Sequence, residues 1–312
     1  MKPFVCFLLL TLTPIVAVGD MVGYSGDTRR YVTEEEKTQF PYNTVVKFLG
    51  PKGTGTFVSE DIILTCRHVI DDIGEWKEIN YRMTDGRQRS GAVAPFIKDD
   101  DDMNDYGWVV SMGAFNGPVL DLSPSVPSYS DNLMVIGYDS LKILSKDEIQ
   151  IIKEEYKTWI KKNGTINKGN NNLAMSTVDA NLYMHHACRS DTQTNCVRCG
   201  KRREPGDWPC IFNDSDNMKV RFCKITKLGD QIEMNCPGSS GLSGAAIIDL
   251  DMNKIIGIYC QGIDPQIGQE RDASSAGTRQ DVYYKTLKGW IDGVRNERQK
   301  IDSLRKEKNN NK

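Results

Sequence analysis

From Pro41 onward the chain is a succession of short runs rich in Val, Ile, Phe and Thr, separated by Gly, Pro, Asp and Asn. They read NTVVKFLG, GTFVS, DIILTC, YGWVVSM, LMVIGY, AAIID, KIIGIYCQG and DVYYKTL. Runs of this length suit strands, because β-branched and aromatic side chains pack well on a pleated, half-buried surface. Many such runs with turn residues between them predict an all-β sandwich or barrel rather than a parallel α/β sheet. At 312 residues the chain can bury one large core or two modest ones.

Two segments break the pattern. In SKDEIQIIKEEYKTWIKKNG, Ser145 and Glu148 make a capping box, and acids of the first turn suit the helix dipole. Ile149, Ile152, Tyr156 and Trp159 follow at helical spacing, and Gly164 stands as a C-cap, so a helix is predicted at about 146–162. Near the C-terminus, Leu287, Trp290, Ile291 and Val294 share one face and predict a terminal helix packed on the body. KEKNNNK after it is a solvated tail.

The N-terminus reads MKPFVCFLLLTLTPIVAVGD, with an early Lys, an apolar run and small residues at Ala17 and Gly19. That is the pattern of a secretory signal peptide cut after Gly19, and the apolar run is too short for a membrane anchor. Removing it takes Cys6 from the nine cysteines and leaves an even number in an exported chain, which implies disulfides. Eight cysteines allow about 105 pairings, so none is assigned. The sequons at Asn163 and Asn213 fit the same compartment as glycosylation sites. The patch from His185 to Cys210 contains Cys196 and Cys199 at zinc-ligand spacing, but secretion favours disulfides there over metal. KDDDDMND, ending at Asp105, lacks the loop glycine of a calcium site and is read as an acidic loop. With 40 Lys and Arg against 42 Asp and Glu, charge gives no reason to expect a nucleic-acid partner.

Three short segments carry chemistry. DIILTCRHVI places His68 after a β-rich run, NDYGWVV places Asp105 at the start of another, and GLSGAA holds Ser243 between glycines. Amide hydrolysis needs a nucleophile, a base to take its proton, and a carboxylate to fix the base's tautomer. The order His, Asp, Ser supplies all three, while the two other histidines, His185 and His186, lie in the Cys-rich patch.

At these residues the chain resembles the trypsin-like (chymotrypsin-fold) serine proteases. ILTCRHVI resembles the family's histidine segment, and TGTFVS and FPYNTVVKF resemble the strands before it. DYGWVV resembles the aspartate segment, IIGIYCQG the strand that pairs with bound peptide, and DVYYKTLKGWID the last strand and closing helix. The resemblance runs in order from about residue 31 to 295 and is weakest over 146–235. It implies two six-stranded antiparallel β-barrels with a C-terminal helix and a helical, Cys-rich insertion in the second. The first barrel would span 31–130 with His68 and Asp105, and the second 131–295 with Ser243 and an insertion at about 145–220. Residues 20–30 would be an extension or propeptide, and 296–312 a polar tail.

The resemblance also implies roles. Ser243 attacks the carbonyl, His68 is base and then acid, Asp105 orients His68, and the backbone N–H groups of Gly241 and Ser243 form the oxyanion hole. Pro237, Cys260, Gly262 and Asp281 fall at substrate-binding positions, and an acidic Asp281 at the pocket base would favour Lys or Arg. The expected partners are protein or peptide substrates and protein inhibitors, with no cofactor, metal, nucleic acid or membrane. Leu242 departs from the family, whose aspartate there receives a freed N-terminus. The dibasic Arg29-Arg30 stands where activation would occur, yet the switch has no receptor, so apolar packing of Leu242 is expected to hold the turn. The cysteine that usually follows the histidine is Val69 here, and Cys260 replaces a serine that supports the aspartate. An inactive homologue acting as a secreted binding module is the alternative.

Overall fold

In the computed structural model, residues 29–95, 105–130, 132–139, 143, 215–236, 241–263 and 274–310 are described. The signal peptide, the helix at 146–162, both sequons, the Cys-rich patch and Pro237 lie outside them.

The described residues form two β units. After the short strand β1 (Arg30–Tyr31) come β2 (Val45–Phe48), β3 (Thr54–Phe57), β4 (Ile62–Thr65), β5 (Glu78–Met83), β6 (Gln88–Val93) and β7 (Gly107–Ser111). Strands β2 to β7 close into a barrel in the order β2-β3-β4-β7-β6-β5, sealed where Val46 of β2 pairs with Met83 of β5. Closure removes both sheet edges, so the barrel leaves no strand open to association. Its interior is aromatic at one end, where Phe57 stacks on Phe115 at 4.8 Å and meets Tyr81 edge-on at 6.1 Å.

The second unit contains β8 (Asp121–Leu122), β9 (Leu133–Tyr138), β10 (Met218–Cys223), β11 (Ile225–Leu228), β12 (Gln231–Met234), β13 (Ala245–Asp249), β14 (Lys254–Ile263) and β15 (Ser274–Arg279). With β1 they make a curled, half-barrel sheet of nine strands, ordered β1-β10-β9-β13-β14-β15-β12-β11, with β8 parallel to β14. The sheet is larger than the six strands expected: β9 to β15 already make seven, and the N-terminal β1 and the short β8 also join it.

The histidine segment forms one short helical turn, α1 (Arg67–Ile70), and a long helix, α2 (Gln280–Asn310), closes the chain. DVYYKTL is therefore the start of α2, not a strand. Tyr283, Leu287 and Ile291, each four apart, bury one face of α2, so helical burial overrides the strand preference of Val and Tyr. The last strand is SSAGTR, just upstream. Tyr283 stacks on Tyr106 at 5.0 Å, and Trp290 meets both Trp76 and Trp108 at 5.9 Å, which fastens α2 to the closed barrel. The helix continues through residues expected as a polar tail. No helix of the described residues is long and apolar enough to cross a membrane.

Candidate active site

His68 sits on α1, directly beyond β4. Its neighbours Val69 and Ile70 are buried while its own ring is half exposed. Two glycines let this turn press down. A Cβ on Gly53 would lie 2.3 Å from a Val69 methyl, and one on Gly107 3.0 Å from Ile70 Cδ1. Gly107 opens β7 just after Asp105, so the contact that seats α1 also brings Asp105 beneath His68.

One carboxylate then holds the histidine twice. Asp105 Oδ1 accepts the His68 backbone N–H at 2.9 Å, and Oδ2 lies 2.5 Å from ring Nδ1. A carboxylate only accepts, so Nδ1 carries the proton and Nε2 keeps a lone pair for a donor. Asp105 is largely shielded from solvent, which keeps competing water from that bond.

Asp105 is tied to the second unit through its backbone. Its carbonyl accepts the Thr278 hydroxyl at 3.4 Å and lies 3.0 Å from Cys260 Sγ. Cys260 is bonded to Cys66, with Cα atoms 5.9 Å apart, so a disulfide joins the residue two before His68 to β14. Cys66, Asp105 and Cys260 form the one potential metal-ligand group among the described residues, but the two sulfurs are bonded to each other and offer no thiolate. A second disulfide links Cys223 to Cys236.

Ser243 lies at the head of β13, in a turn bracketed by left-handed glycines: φ is +101° at Gly241 and +93° at Gly244. The turn is pinned to the closed barrel. Thr54 N–H donates to the Ser243 carbonyl at 2.8 Å, and the Thr54 hydroxyl donates to the Gly241 carbonyl at 2.8 Å. Gly244 N–H donates to the Tyr259 carbonyl at 2.8 Å. Leu242 is fully buried in a cluster with Val135, Ile247 and Tyr259, so apolar packing does anchor the turn. The Ser243 hydroxyl donates to the Cys260 carbonyl at 3.3 Å.

Gly244 has no room for a side chain, since a Cβ there would lie 2.0 Å from the Thr54 carbonyl oxygen and 2.1 Å from Thr65 Oγ1. Gly244→Ala is therefore expected to lower stability by about 2–3 kcal/mol, from the left-handed φ plus the clash. A urea titration checks this, and an unchanged midpoint would count against the packed turn.

His68, Asp105, Ser243, Gly241 and Cys260 thus share one neighbourhood, where the closed barrel meets β13 and β14. Gly262 lies further along β14. Asp281 differs from expectation. It sits in the first turn of α2, and both its oxygens are taken by Arg279, Nε at 3.0 Å and Nη2 at 2.7 Å. Arg279 is held in turn by the Gly229 carbonyl at 2.6 Å. The expectation placed Asp281 by reading DVYY as the last strand, and the helical start moves it off that register.

Thr54 was passed over as an ordinary strand residue, though its hydroxyl is the hub of the Ser243 turn. A buried charge cluster was missed as well. Asp139, just beyond β9, is fully buried with Lys219 and Arg221 of β10, and Arg29 is buried too. The signal was in MKVRFC, where cations two apart share a strand face and need an acid.

No protein-family model and no curated protein matches the chain. Among solved structures, a Glu endopeptidase in complex with MPD aligns over 86% of this chain and 98% of its own, at 11% identity and a TM-score of 0.49. Neuropsin, a serine protease expressed in the limbic system of mouse brain, aligns over 84% and 98%, at 11% identity and a TM-score of 0.48. By its own strand order, a closed six-stranded barrel beside a curled half-barrel sheet with a helix closing the chain, the protein has the architecture of the trypsin-like fold.

Proposed function

We propose that the chain is a secreted serine endopeptidase. The observation that carries the reading is the double hold of Asp105 on His68, at Nδ1 and at the backbone N–H, beside a Ser243 turn pinned by Thr54. Ser243 Oγ attacks the peptide carbonyl while His68 Nε2 takes its proton, then returns it to the leaving amine. Water, deprotonated by His68, cleaves the acyl-enzyme, and the acid product leaves with Ser243 restored. The N–H groups of Gly241 and Ser243 stabilise the tetrahedral oxyanion. The substrate backbone runs along β14 at Cys260 and Gly262. With both oxygens taken by Arg279, Asp281 gives no support to a basic side-chain preference, and the proposal extends to peptide bonds without one. Two disulfides suit an exported chain, whose substrates and inhibitors would be proteins or peptides.

One observation favours the alternative, a catalytically inactive homologue serving as a binding module: the Ser243 hydroxyl is bonded to the Cys260 carbonyl. That bond is compatible with catalysis, since catalytic hydrogen bonds are often formed only when substrate binds. A serine-directed phosphonate separates the two. Labelling of Ser243 that disappears in His68→Ala is the expected result, and folded wild-type protein that takes no label would leave the binding module.

A further inference from the structure

We infer that the buried charge cluster around Asp139 is the positioning device for the oxyanion turn at Gly241, and that it draws one of its charges from the segment before Tyr31. The inference rests on the catalytic reading of Ser243.

Asp139 has 0% exposure and gathers cations from two elements. Lys219 Nζ donates to its backbone carbonyl at 2.9 Å and lies 3.3 Å from Oδ1, and Arg221 Nη2 bonds Oδ2. Arg29, 1% exposed, directly precedes Arg30, which pairs with Val220 between these two cations, and so adds its positive charge beside the same carboxylate. Burial alone pushes the Asp139 carboxyl up, and Arg221, Lys219 and Arg29 together outweigh it and hold it below the ordinary value. Sinking this much charge is a poor way to gain stability, because apolar residues of equal volume serve as well. What ion pairs supply is a fixed geometry, each partner having few arrangements that satisfy it.

The geometry is applied to Gly241. A Cβ on Gly241 would lie 2.7 Å from the Tyr138 carbonyl oxygen and 3.6 Å from Asp139 Cα, so the Tyr138–Asp139 backbone is the floor beneath the turn. Thr54 Oγ1 couples the two, accepting from Tyr138 N–H at 2.9 Å and donating to the Gly241 carbonyl at 2.8 Å. Clamping Asp139 to β10 therefore holds Gly241 in place from the Asp139 side, while the Thr54 bond fixes the peptide plane between Gly241 and Leu242. Leu242 packs one side of the turn, and the charge cluster sets the other.

The N-terminal segment is part of this device. Arg30 and Tyr31 pair with Val220 and Lys219 of β10, and Val32 N–H donates to the Met218 carbonyl at 3.0 Å. Arg30 is locked by Glu36 at 2.7 and 2.8 Å, beside the Tyr42 hydroxyl at 3.3 Å. The dibasic pair is thus built into the fold, and cutting after Arg30 would free Arg29 from the cluster. Processing there lowers activity, the reverse of an activating cleavage.

The experiment measures steady-state peptide hydrolysis and the affinity of a peptide aldehyde, whose adduct carries an oxyanion, for the full exported chain and its variants. Asp139→Asn and Arg29→Gln are expected to lower kcat about 10²-fold with little change in KM, and to weaken the aldehyde in proportion. Arg29→Lys, which keeps the charge, should recover most of the loss. Asp216→Asn, which removes the exposed bridge to Lys47 and Arg82, should leave kcat unchanged. If Asp139→Asn fails to fold, Arg29→Gln carries the test, since Lys219 and Arg221 stay on the carboxylate. Active wild type with folded variants of unchanged kcat overturns the inference alone. Wild type that neither hydrolyses peptide nor takes the phosphonate overturns the catalytic reading and this inference with it.

Discussion

Asp105→Asn is expected to lower kcat about 10⁴-fold while leaving the protein folded. The amide keeps an oxygen that can still accept the His68 backbone N–H now held at 2.9 Å. Its other arm, however, becomes an NH₂ facing ring Nδ1, where the carboxylate oxygen now lies at 2.5 Å. Two donors cannot share that bond, so the imidazole takes the tautomer with its proton on Nε2. The nitrogen that must accept the Ser243 proton is then occupied. The loss should fall on kcat rather than KM, because the substrate binding proposed along β14 would not involve the ring. Thermal unfolding together with steady-state kinetics checks the prediction. A folded variant retaining more than about a tenth of wild-type kcat would mean that Asp105 does not set the tautomer.

The residues of this site were legible because the chemistry needs few residue types, each at the tip of a dense apolar run. DIILTC is buried along its length and YGWVV at all but Val110, so their strands were evident, and His68 and Asp105 lie just beyond their ends. SSAGTR shows the opposite case. It carries almost no apolar pattern, yet Ser275, Ala276 and Thr278 are buried because β15 is paired on both sides, by β12 and β14. Neighbours come so close that a Cβ on Gly277 would lie 2.3 Å from the Ile258 carbonyl oxygen. Small residues are what such a position admits, and they look like a turn in the sequence. DVYYKTL misled for the converse reason. Its local preference was for strand, but the burial that decides it has helical spacing, Tyr283 and Leu287 within the run continuing to Ile291 beyond it. The Asp139 cluster depends on the ends of β1 and β9 meeting β10, and MKVRFC records its cations without recording where their acid lies.

Breaking the Cys66–Cys260 disulfide is expected to cost the fold about 5 kcal/mol, the upper end for one bridge, because it closes a loop between residues 194 apart. Cys223–Cys236 closes a loop between residues 13 apart, and its loss should cost about 3 kcal/mol by the same chain-entropy reasoning. The position of the longer bridge adds to the difference. Cys66 lies at the end of β4 and Cys260 in β14, so the bond joins the closed barrel to the half-barrel beside Asp105. Cys260 falls where the β14–β15 register shifts between Tyr259 and Gln261, and its carbonyl holds the Ser243 hydroxyl. Losing the bridge should therefore loosen the alignment of His68 with Ser243 before either unit unfolds. Urea titrations of Cys66→Ala/Cys260→Ala and Cys223→Ala/Cys236→Ala, with kcat followed across each, check both claims. Equal losses in the two double variants would show that loop length does not set the stabilisation. Activity and fold lost together in the first would show that the bridge holds the chain together without separately aligning the site.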